Sequence, residues 1–337
     1  MNITEFAQIA GVSKSAVSRF FNGGYLAEDK KALIAAAVEK TGYHPSAQAQ
    51  TLRTRQTRQI GVILPRLSSE SCSRVVEGIS DVLDEQNYHL LLVNTANTPA
   101  REVEALELFR HSRVDGVIFL ASVFTPAHKS VLAGMHLPVV IVGQRYEGFN
   151  CVCHDDTGAA RALTALMLER GSRCPGYLGV TLHDHAAGYC RRQGFIDALK
   201  DAGIAPRPER MCLAQFNMES GYEQAAALFE KSPGIDCLFC ATDSIALGAM
   251  HYCRAHQVRI PGDLLLAGVG DNVAGRTAAV PLTSAHLHYR TSGRTAAELL
   301  LEMLRGEKKG ARTIELDYTL QERLSTGRPD AELKLYW

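Results

Sequence analysis

The sequence has no excess of charge of either sign. Lysine and arginine together number 36, as do aspartate and glutamate, so the net charge is +0 over 337 residues. Overall charge therefore points to no polyanionic partner. The balance is uneven, however, because the first 58 residues hold eight basic side chains against four acidic ones. This local excess favours a nucleic-acid partner for that segment, although a solvated helical face would show the same balance.

Targeting and membrane-spanning segments are also missing. The N-terminus MNITEFAQIAG has neither the charged n-region nor the apolar core of a secretory signal. No apolar run approaches the ~20 residues needed to cross a bilayer. We therefore expect a cytoplasmic protein with no membrane partner.

Metal-binding and redox motifs are suggested only weakly. Nine cysteines in a chain without a secretory signal are expected to stay reduced. Cys237-x-x-Cys240 and Cys151-x-Cys153 have the spacing of metal or redox motifs, but both pairs lie in apolar, strand-like runs. We interpret them as core residues and expect neither a metal nor a cofactor.

The usual signatures of catalysis are absent as well. The sequence contains no GxGxxG after a strand, no P-loop and no GxSxG elbow. His154, His183 and His185 stand without a Cys or Ser partner at a catalytic spacing, and we interpret them as pocket or surface residues. We expect no catalytic residues and no enzymatic activity.

The stretch NITEFAQIAGVSKSAVSRFFNG predicts two short helices separated by a turn at Gly11. Thr4 is expected to cap the first helix and Ser13 the second. Two short helices joined by a glycine-containing turn form a helix-turn-helix. A third helix is predicted over EDKKALIAAAVEKTG, without a side-chain cap because Ala27 precedes it. The predicted buried stripe of the third helix is Ala32, Leu33, Ala36 and Ala37.

A polar, basic segment, HPSAQAQTLRTRQTRQ, follows the three helices. Pro45 ends the preceding helix, and Ser46 can cap a short new helix that ends near Arg53. Its few apolar residues cannot form a core, so we expect structure only on contact with a partner. We predict a helix-turn-helix domain over 1–45 and a hinge over 46–58.

From Gln59 onward, short apolar runs alternate with helical patterns, which is typical of parallel sheets covered on both faces. About nine strands are too many for one such sheet, so we predict an α/β core of two doubly wound lobes with a cleft between them. Ligands bind such sheets at the carboxyl ends of the strands. The predicted core is 59–330, with lobe 1 at about 59–157 and 286–315, and lobe 2 at about 158–285 and 316–330.

A series of motifs runs in order along almost the whole chain. It comprises IAGVSKSAVSRFFNG, TGYHPSAQAQTLRTRQTRQIGVILP, VDGVIFL, HDDTGAA, RRQGF, FCATDSIALGAM, AGVGDN and PLTSAH. One such piece is weak, but the ordered series is specific. On these motifs the sequence resembles the lactose/galactose repressor family, including its sucrose-operon and trehalose-operon branches. The resemblance implies a core like that of periplasmic binding proteins.

The resemblance also implies a homodimer on a two-fold-symmetric, double-stranded DNA operator. The second helix of each headpiece would enter the major groove, where Arg19 can bind guanine in a bidentate way. The hinge helices would enter the minor groove, where Leu52 would wedge into a base step. The implied DNA-contacting residues are Lys14, Ser15, Arg19, Asn22, Ala49, Leu52 and Arg53.

A small-molecule sugar bound between the lobes is the effector that the resemblance implies. Arg191 in RRQGF matches the family's sugar-contacting arginine, although the adjacent Arg192 remains the alternative. Asp243 either contacts the sugar or caps the helix that follows it, or does both. The run AGVGDN departs from the family pattern, since Gly270 stands at the usual acidic position and Asp271 follows it. The candidate effector-binding residues are Arg66, Ser69, Ser71, Asp155, Arg191, Thr242, Asp243 and Asp271.

The run PRLSSES after the first strand is the most suggestive departure. Arg66 and the serines after it would make a phosphate cradle, because helix N-termini and guanidinium groups both favour anions. A surface arginine beside ordinary helix-capping serines is the alternative. We therefore favour a disaccharide 6-phosphate over a neutral sugar as the effector.

The sequence as a whole predicts an allosteric repressor of a carbohydrate-utilisation operon. We expect induction by the sugar, with corepression or activation as alternatives. The tail AELKLYW carries no heptad repeat, so a dimer is expected and a tetramer is not supported. A transport-type binding protein shares the two-lobed fold, but the helix-turn-helix and the missing secretory signal argue against it.

Overall fold

A computed structural model describes residues 1–21, 23–44, 56–307 and 310–327. The chain divides into two compact units, Met1–Thr57 and Arg58–Trp337. In these ranges the structure contains no helix that is long and apolar enough to cross a membrane. Asn22 and residues 45–55, which include Ala49, Leu52 and Arg53 of the predicted hinge, lie outside the described residues.

The first unit contains the three predicted helices. Ser13 caps the second helix as predicted, because its Oγ accepts the Ala16 N–H at 3.2 Å. The prediction of Thr4 as the first cap is wrong. Asn2 Oδ1 accepts from the N–H groups of Thr4 and Glu5, and the Glu5 carboxylate accepts the Asn2 N–H in return, so this capping box begins two residues earlier. The helices are α1 (Ile3–Ile9), α2 (Lys14–Phe21) and α3 (Glu28–Thr41).

The core of this unit differs from the predicted stripe of α3. Ile34 and Ala37 are buried, whereas the predicted Ala32, Leu33 and Ala36 are exposed. Packing against Phe6, which is fully buried, favours the face that carries Ile34 and Ala37, and this turns Leu33 to solvent. Ala27 precedes α3 without a side-chain cap, as predicted.

The second unit contains two six-stranded sheets. The first has the order β11-β5-β4-β3-β1-β2, and its strands are all parallel. Helices α4 and α12 cover one face of this sheet, and α5 and α6 cover the other. The elements of this lobe are β1 (Gln59–Leu64), α4 (Glu70–Glu85), β2 (His89–Asn94), α5 (Pro99–His111), β3 (Gly116–Leu120), α6 (Pro126–Ala133), β4 (Val139–Val142), β5 (Asn150–His154), α12 (Tyr289–Leu304) and β11 (Thr313–Leu316).

The second sheet has the order β12-β10-β9-β8-β6-β7, with only β12 antiparallel to its neighbour. Helices α7 and α8 cover one face, and α9 and α10 cover the other. Its elements are α7 (Asp156–Glu169), β6 (Pro175–Gly179), a π-helical turn (His185–Cys190), α8 (Arg191–Asp201), a 3₁₀ turn (Pro208–Arg210), β7 (Met211–Leu213), α9 (Met218–Lys231), β8 (Cys237–Cys240), α10 (Asp243–Ala255), β9 (Leu265–Val269), α11 (Val273–Arg276), β10 (Thr283–Leu287) and β12 (Tyr318–Gln321).

The two-lobed α/β fold is confirmed, although the described strands number twelve rather than about nine. The run TIELDY, predicted as one strand, is split between β11 in the first sheet and β12 in the second. The paired cysteines of β5 and β8 are buried in the cores, as expected. The chain passes between the lobes after β5, after β10 and after β11, and these passages bring the two sheets' helices to a shared cavity.

Candidate functional site

A cavity of about 350 Å³ lies between the two lobes. Its walls come from segments that follow β1, β3, β4, β6, β8 and β9, so it lies at the carboxyl ends of the strands, as predicted. Asp155 and Asp271 are the predicted effector-binding residues that do not line it. Those that do are Arg66, Ser69, Ser71, Arg191, Thr242 and Asp243.

Arg66 follows β1 and reaches across to the other lobe. Its Nη1 donates to the Phe216 carbonyl oxygen at 3.0 Å, and its guanidinium carbon lies 4.2 Å from the centre of the Phe216 ring. Its Nε is buried and has no hydrogen-bond partner within the described residues. Burial lowers the pKa of Arg66, so an anion beside it would relieve the cost of burying its charge.

Two serines stand beside Arg66 at the start of α4. Ser69 caps this helix, since its Oγ is the acceptor for the Cys72 N–H at 3.5 Å. The hydroxyl oxygens of Ser69 and Ser71 are hydrogen-bonded to each other at 2.8 Å. The cavity wall therefore holds a guanidinium, hydroxyl groups and a helix N-terminus side by side, which together suit an anion.

Arg191, the first residue of α8, is 5% exposed and lines the cavity, whereas Arg192 is not among the lining residues. Its Nε donates to Asp156 Oδ1 at 2.7 Å, and its Nη1 donates to the Ala241 carbonyl oxygen. Burial alone would lower the pKa of Arg191, but the Asp156 carboxylate outweighs it and raises the pKa above its ordinary value. Arg191 is thus a fixed cation in the cavity wall.

Thr242 and Asp243 divide the two roles that the sequence left open for Asp243. Thr242 caps α10, because its Oγ1 accepts the Ile245 N–H at 3.3 Å. The Asp243 carboxylate accepts from the Ser284 hydroxyl at 2.6 Å and from the Asn272 N–H at 2.7 Å. Burial raises the pKa of Asp243 to about 6. The prediction that Asp243 caps α10 is therefore wrong. Both oxygens of the Asp243 carboxylate already have donors within the second lobe.

Asp155 and Asp271 have structural partners away from the cavity. Asp155 caps α7, where its Oδ1 accepts the Gly158 N–H at 2.7 Å. The Asp271 carboxylate accepts hydrogen bonds from three basic side chains. The sequence could not separate these aspartates from Asp243, which lines the cavity, because all three stand one to three residues after a strand. The three partners of Asp271 are Arg276, His286 and Arg323.

Phe216, Asp184 and His154 are among the wall residues to which the sequence analysis gave no effector role. Phe216 follows the unpredicted strand β7, and Asp184 caps the π-helical turn. His154 ends β5, and its buried Nε2 has no partner in the part of the chain that the structure describes. Burial lowers the pKa of His154 to about 4, so its ring is neutral at pH 7. Its place at the carboxyl end of β5 agrees with the sequence analysis, which left His154 as a pocket or surface residue.

A second set of contacts joins the lobes beside the cavity. Arg74 of α4 donates to the carbonyl oxygens of Gly270 at 3.1 Å and Asp271 at 2.9 Å. The Val273 N–H donates to the Glu70 carboxylate at 3.0 Å, and Glu70 also pairs with Arg74. We call these contacts the interlobe latch. They hold the rim of the cavity closed on the α4 side.

In the first unit, α2 has one buried and one exposed face. Ala16 and Val17 are buried, whereas Lys14, Ser15 and Arg19 are exposed. The three residues predicted to read DNA bases therefore lie on the outer face of the second helix of the helix-turn-helix.

Comparisons with protein families match both units. Residues 2–46 match the family described as bacterial regulatory proteins, lacI family. Residues 164–326 match the periplasmic binding protein-like domain. The chain is 32% identical over 303 residues to the sucrose operon repressor of Staphylococcus xylosus, which covers 90% of this chain and 93% of that protein.

Solved structures agree with these matches. The trehalose repressor from Escherichia coli has a TM-score of 0.69 at 28% identity, covering 78% of this chain and 99% of that one. The lac repressor dimer bound to operator and the anti-inducer ONPF has a TM-score of 0.88 at 21% identity, covering 97% of this chain and 99% of that one. At that identity the second likeness establishes the fold.

Proposed function

Because this chain belongs to the lacI family of bacterial regulatory proteins, we propose that it represses a carbohydrate-utilisation operon in response to a disaccharide 6-phosphate. Like its relatives, the chain is a DNA-binding transcriptional regulator and not an enzyme. The relatives include a sucrose operon repressor and a trehalose repressor. A disaccharide is therefore the effector class to test first.

The position of Arg66 carries the proposal of a phosphorylated effector. Its buried Nε has no protein partner in the described chain, and Ser69 and Ser71 line the same wall. A phosphate ester has three strong acceptor oxygens, which would accept hydrogen bonds from the Arg66 Nε–H and the serine hydroxyls. The positive end of the α4 dipole would stabilise its negative charge. A surface arginine would not keep a donor buried without an acceptor.

A neutral sugar is the second candidate, and the acidic part of the wall favours it. Glu70, Asp156, Asp184 and Asp243 all line the cavity. Carboxylates there suit sugar hydroxyls and oppose an added negative charge. A disaccharide 6-phosphate would be recognised mainly by the guanidinium of Arg66, and a neutral sugar mainly by these carboxylates.

The exposed face of α2 supports operator recognition by Lys14, Ser15 and Arg19. Arg19 would specify guanine, and the other two would read bases less strictly. Four further residues complete the proposed set of DNA contacts, and they rest on the family resemblance alone: Asn22, Ala49, Leu52 and Arg53. Phosphate contacts from Asn22 and Arg53 would add affinity without sequence choice.

A homodimer is supported by the edge strand β2. Leu91 is 40% exposed and Leu92 is 39% exposed, although the run HLLLV has the composition of a buried strand. A second copy of the chain covering this edge would remove both leucines from water. A two-fold-symmetric dimer requires a two-fold-symmetric operator.

Linkage between the cavity and the operator gives the mechanism. An effector that favours one arrangement of the lobes shifts the dimer by its differential affinity for the two arrangements. If the effector favours the arrangement that does not bind DNA, operator affinity falls and the operon is induced. We expect this sign, and an operator titration with and without effector distinguishes it from corepression and activation.

Calorimetric titration with sucrose, trehalose and their 6-phosphates tests the proposal. We expect a 6-phosphate to bind more tightly than its free sugar, and Arg66→Ala to lose roughly 10- to 100-fold of that affinity, because a charge-assisted hydrogen-bond set is removed. Arg101→Ala, an exposed arginine of α5 outside the cavity, is the matched control. Equal affinity for a sugar and its 6-phosphate, unchanged in Arg66→Ala, would refute the phosphate cradle and leave a neutral-sugar regulator.

A further inference from the structure

Asp184 differs from the other acidic side chains of the cavity wall in its partners. Asp156 is paired with the Arg191 guanidinium, Glu70 with Arg74, and Asp243 with the Ser284 hydroxyl. Asp184 Oδ1 accepts only the backbone N–H of Ala187, at 2.9 Å, and Oδ2 has no partner among the residues that the structure describes. Asp184 as a whole is 7% exposed, but Oδ2 is not one of the fully buried, unpartnered side-chain atoms of the described chain, so it is accessible from the cavity.

The backbone fixes Asp184 at the junction of the lobes. Asp184 caps the π-helical turn that leads into α8. Its main chain forms an isolated antiparallel bridge with Val123, which follows β3 of the other lobe. Gly188 allows this turn to pack closely, since a Cβ there would lie 2.0 Å from the Thr181 carbonyl oxygen. The side chain of Asp184 therefore has a defined position in the cavity wall.

The surroundings of Asp184 are mixed in charge. Burial raises its pKa to about 6, while the Ala187 N–H and the Arg191 guanidinium act in the opposite direction. At pH 7.5 the carboxylate is thus mostly ionised, with an acceptor oxygen and few donors. The titratable and charged groups that face it from the surrounding elements are Arg66, Tyr146, Asp156, Cys190 and Arg191.

We infer that Asp184 is a specificity-determining residue that accepts hydrogen bonds from hydroxyl groups of the sugar effector through its Oδ2. The inference rests on the proposed function, because it places the sugar in the same cavity. A carboxylate oxygen that faces the cavity without a protein donor is an available acceptor, and a hydroxyl pair on a sugar ring supplies donors to it. An effector without hydroxyls at this position would leave the oxygen unpaired.

A pH dependence follows from this role. Hydroxyl donors stabilise the ionised carboxylate, so effector binding lowers the pKa of Asp184 below its value in the empty cavity. The affinity gained through Asp184 is therefore complete well above pH 6 and is lost progressively as the pH falls through 6. Asp243 and a phosphate on the effector also titrate in this range, so the contribution of Asp184 must be taken from a ratio of two proteins.

Effector titrations of the wild type and Asp184→Asn at pH 7.5, 6.5 and 5.5 test the inference. The asparagine keeps an oxygen to accept the Ala187 N–H, so the turn retains its cap. The probe is whichever of sucrose, trehalose and their 6-phosphates binds the wild type most tightly. We expect Asp184→Asn to bind roughly 10-fold more weakly at pH 7.5 and the ratio to fall to roughly 3-fold at pH 5.5. Asp201→Asn, an exposed carboxylate of α8, should match the wild type throughout.

Three other outcomes separate the failures. Equal affinity of the wild type and Asp184→Asn at every pH would overturn the inference and leave the proposed function intact. A loss of affinity that is the same at all three pH values, with unchanged thermal stability, would also overturn it, since the acceptor role requires the ionised form. Binding of none of the four sugars by the wild type would instead overturn the proposed effector class and the inference together.

Discussion

Asp271 lies at the centre of a charge cluster in the second lobe. Its carboxylate accepts from Arg323 at 2.6 Å, from Arg276 at 2.9 and 3.1 Å, and from the His286 ring at 2.9 Å. Burial alone would raise the pKa of Asp271, but the hydrogen bonds from His286 and Arg323 outweigh it and hold the pKa below its ordinary value. The side chain therefore stabilises the lobe and leaves effector contacts to its neighbours.

Asp271→Asn is expected to lower the free energy of unfolding by on the order of 2 kcal/mol at pH 7, because three donors lose an ionised acceptor. A depressed folded-state pKa contributes stability above the unfolded pKa of about 3.9, and this contribution is lost as the pH falls through the folded pKa. The gap between wild type and variant should thus shrink below pH 4. Urea unfolding at several pH values measures it, with Asp317→Asn, a substitution of an exposed aspartate, as control. A gap independent of pH would contradict the ion-pair account.

At the scale of elements, the closest packing in the first lobe is between α4 and α12. A Cβ on Gly78 would lie 2.0 Å from the Arg290 carbonyl oxygen, and one on Gly293 would lie 2.0 Å from the Val75 carbonyl oxygen. Each glycine thus admits the backbone of the opposite helix. Helix α4 carries the latch residues Glu70 and Arg74 and begins after Ser69 of the cavity wall. Its distance from α12 therefore positions one side of the cavity.

Gly78→Ala should destabilise the protein by about 2 kcal/mol or more, since the obstacle is backbone and the helices must move apart. Chemical denaturation measures the loss. Gly134→Ala is the matched control, because its Cβ would meet the Arg110 side chain at 3.3 Å and the Val131 carbonyl oxygen at 3.5 Å, and its φ of −89° is ordinary. A Gly78→Ala protein as stable as this control would show that α4 can shift without cost.

At the scale of the molecule, the interlobe latch and the Arg66–Phe216 contact both join the two lobes around the cavity. Lobes joined by a few hydrogen bonds are expected to exchange between closed and open arrangements. A ligand that needs the closed arrangement then binds with an affinity reduced by the closed fraction. The latch should therefore control effector affinity without being the main contact with the effector.

Arg74→Ala removes the two hydrogen bonds to the carbonyl oxygens of Gly270 and Asp271. Each is worth about 1 kcal/mol, so we expect effector affinity to fall roughly 10-fold and the effector-free protein to expand in small-angle scattering. Arg101→Ala is again the control. Unchanged scattering with unchanged affinity would mean that other contacts keep the lobes together.

Several features of the cavity and of the first unit could be predicted from the sequence, because they depend on residues that are close together in the chain. Arg66 stands two residues after β1, and Arg191 begins the helix that follows β6, so both lie on the side of the carboxyl ends of the strands. Ser13 was identifiable as a cap from its position alone. In contrast, the inward face of α3 depended on which side meets Phe6, a choice that helix periodicity leaves open.

The sequence by itself determined the helix-turn-helix, the alternation of strands and helices and the family, because each depends on neighbouring residues or on the order of motifs. Only the tertiary structure decided that TIELDY divides between two sheets, that Asp271 turns to a charge cluster, and that Asp184 enters the cavity. These outcomes depend on long-range partners, such as Arg323 for Asp271 and Val123 for Asp184. Residues far apart in the chain become partners only once both lobes are folded, so no local pattern records them.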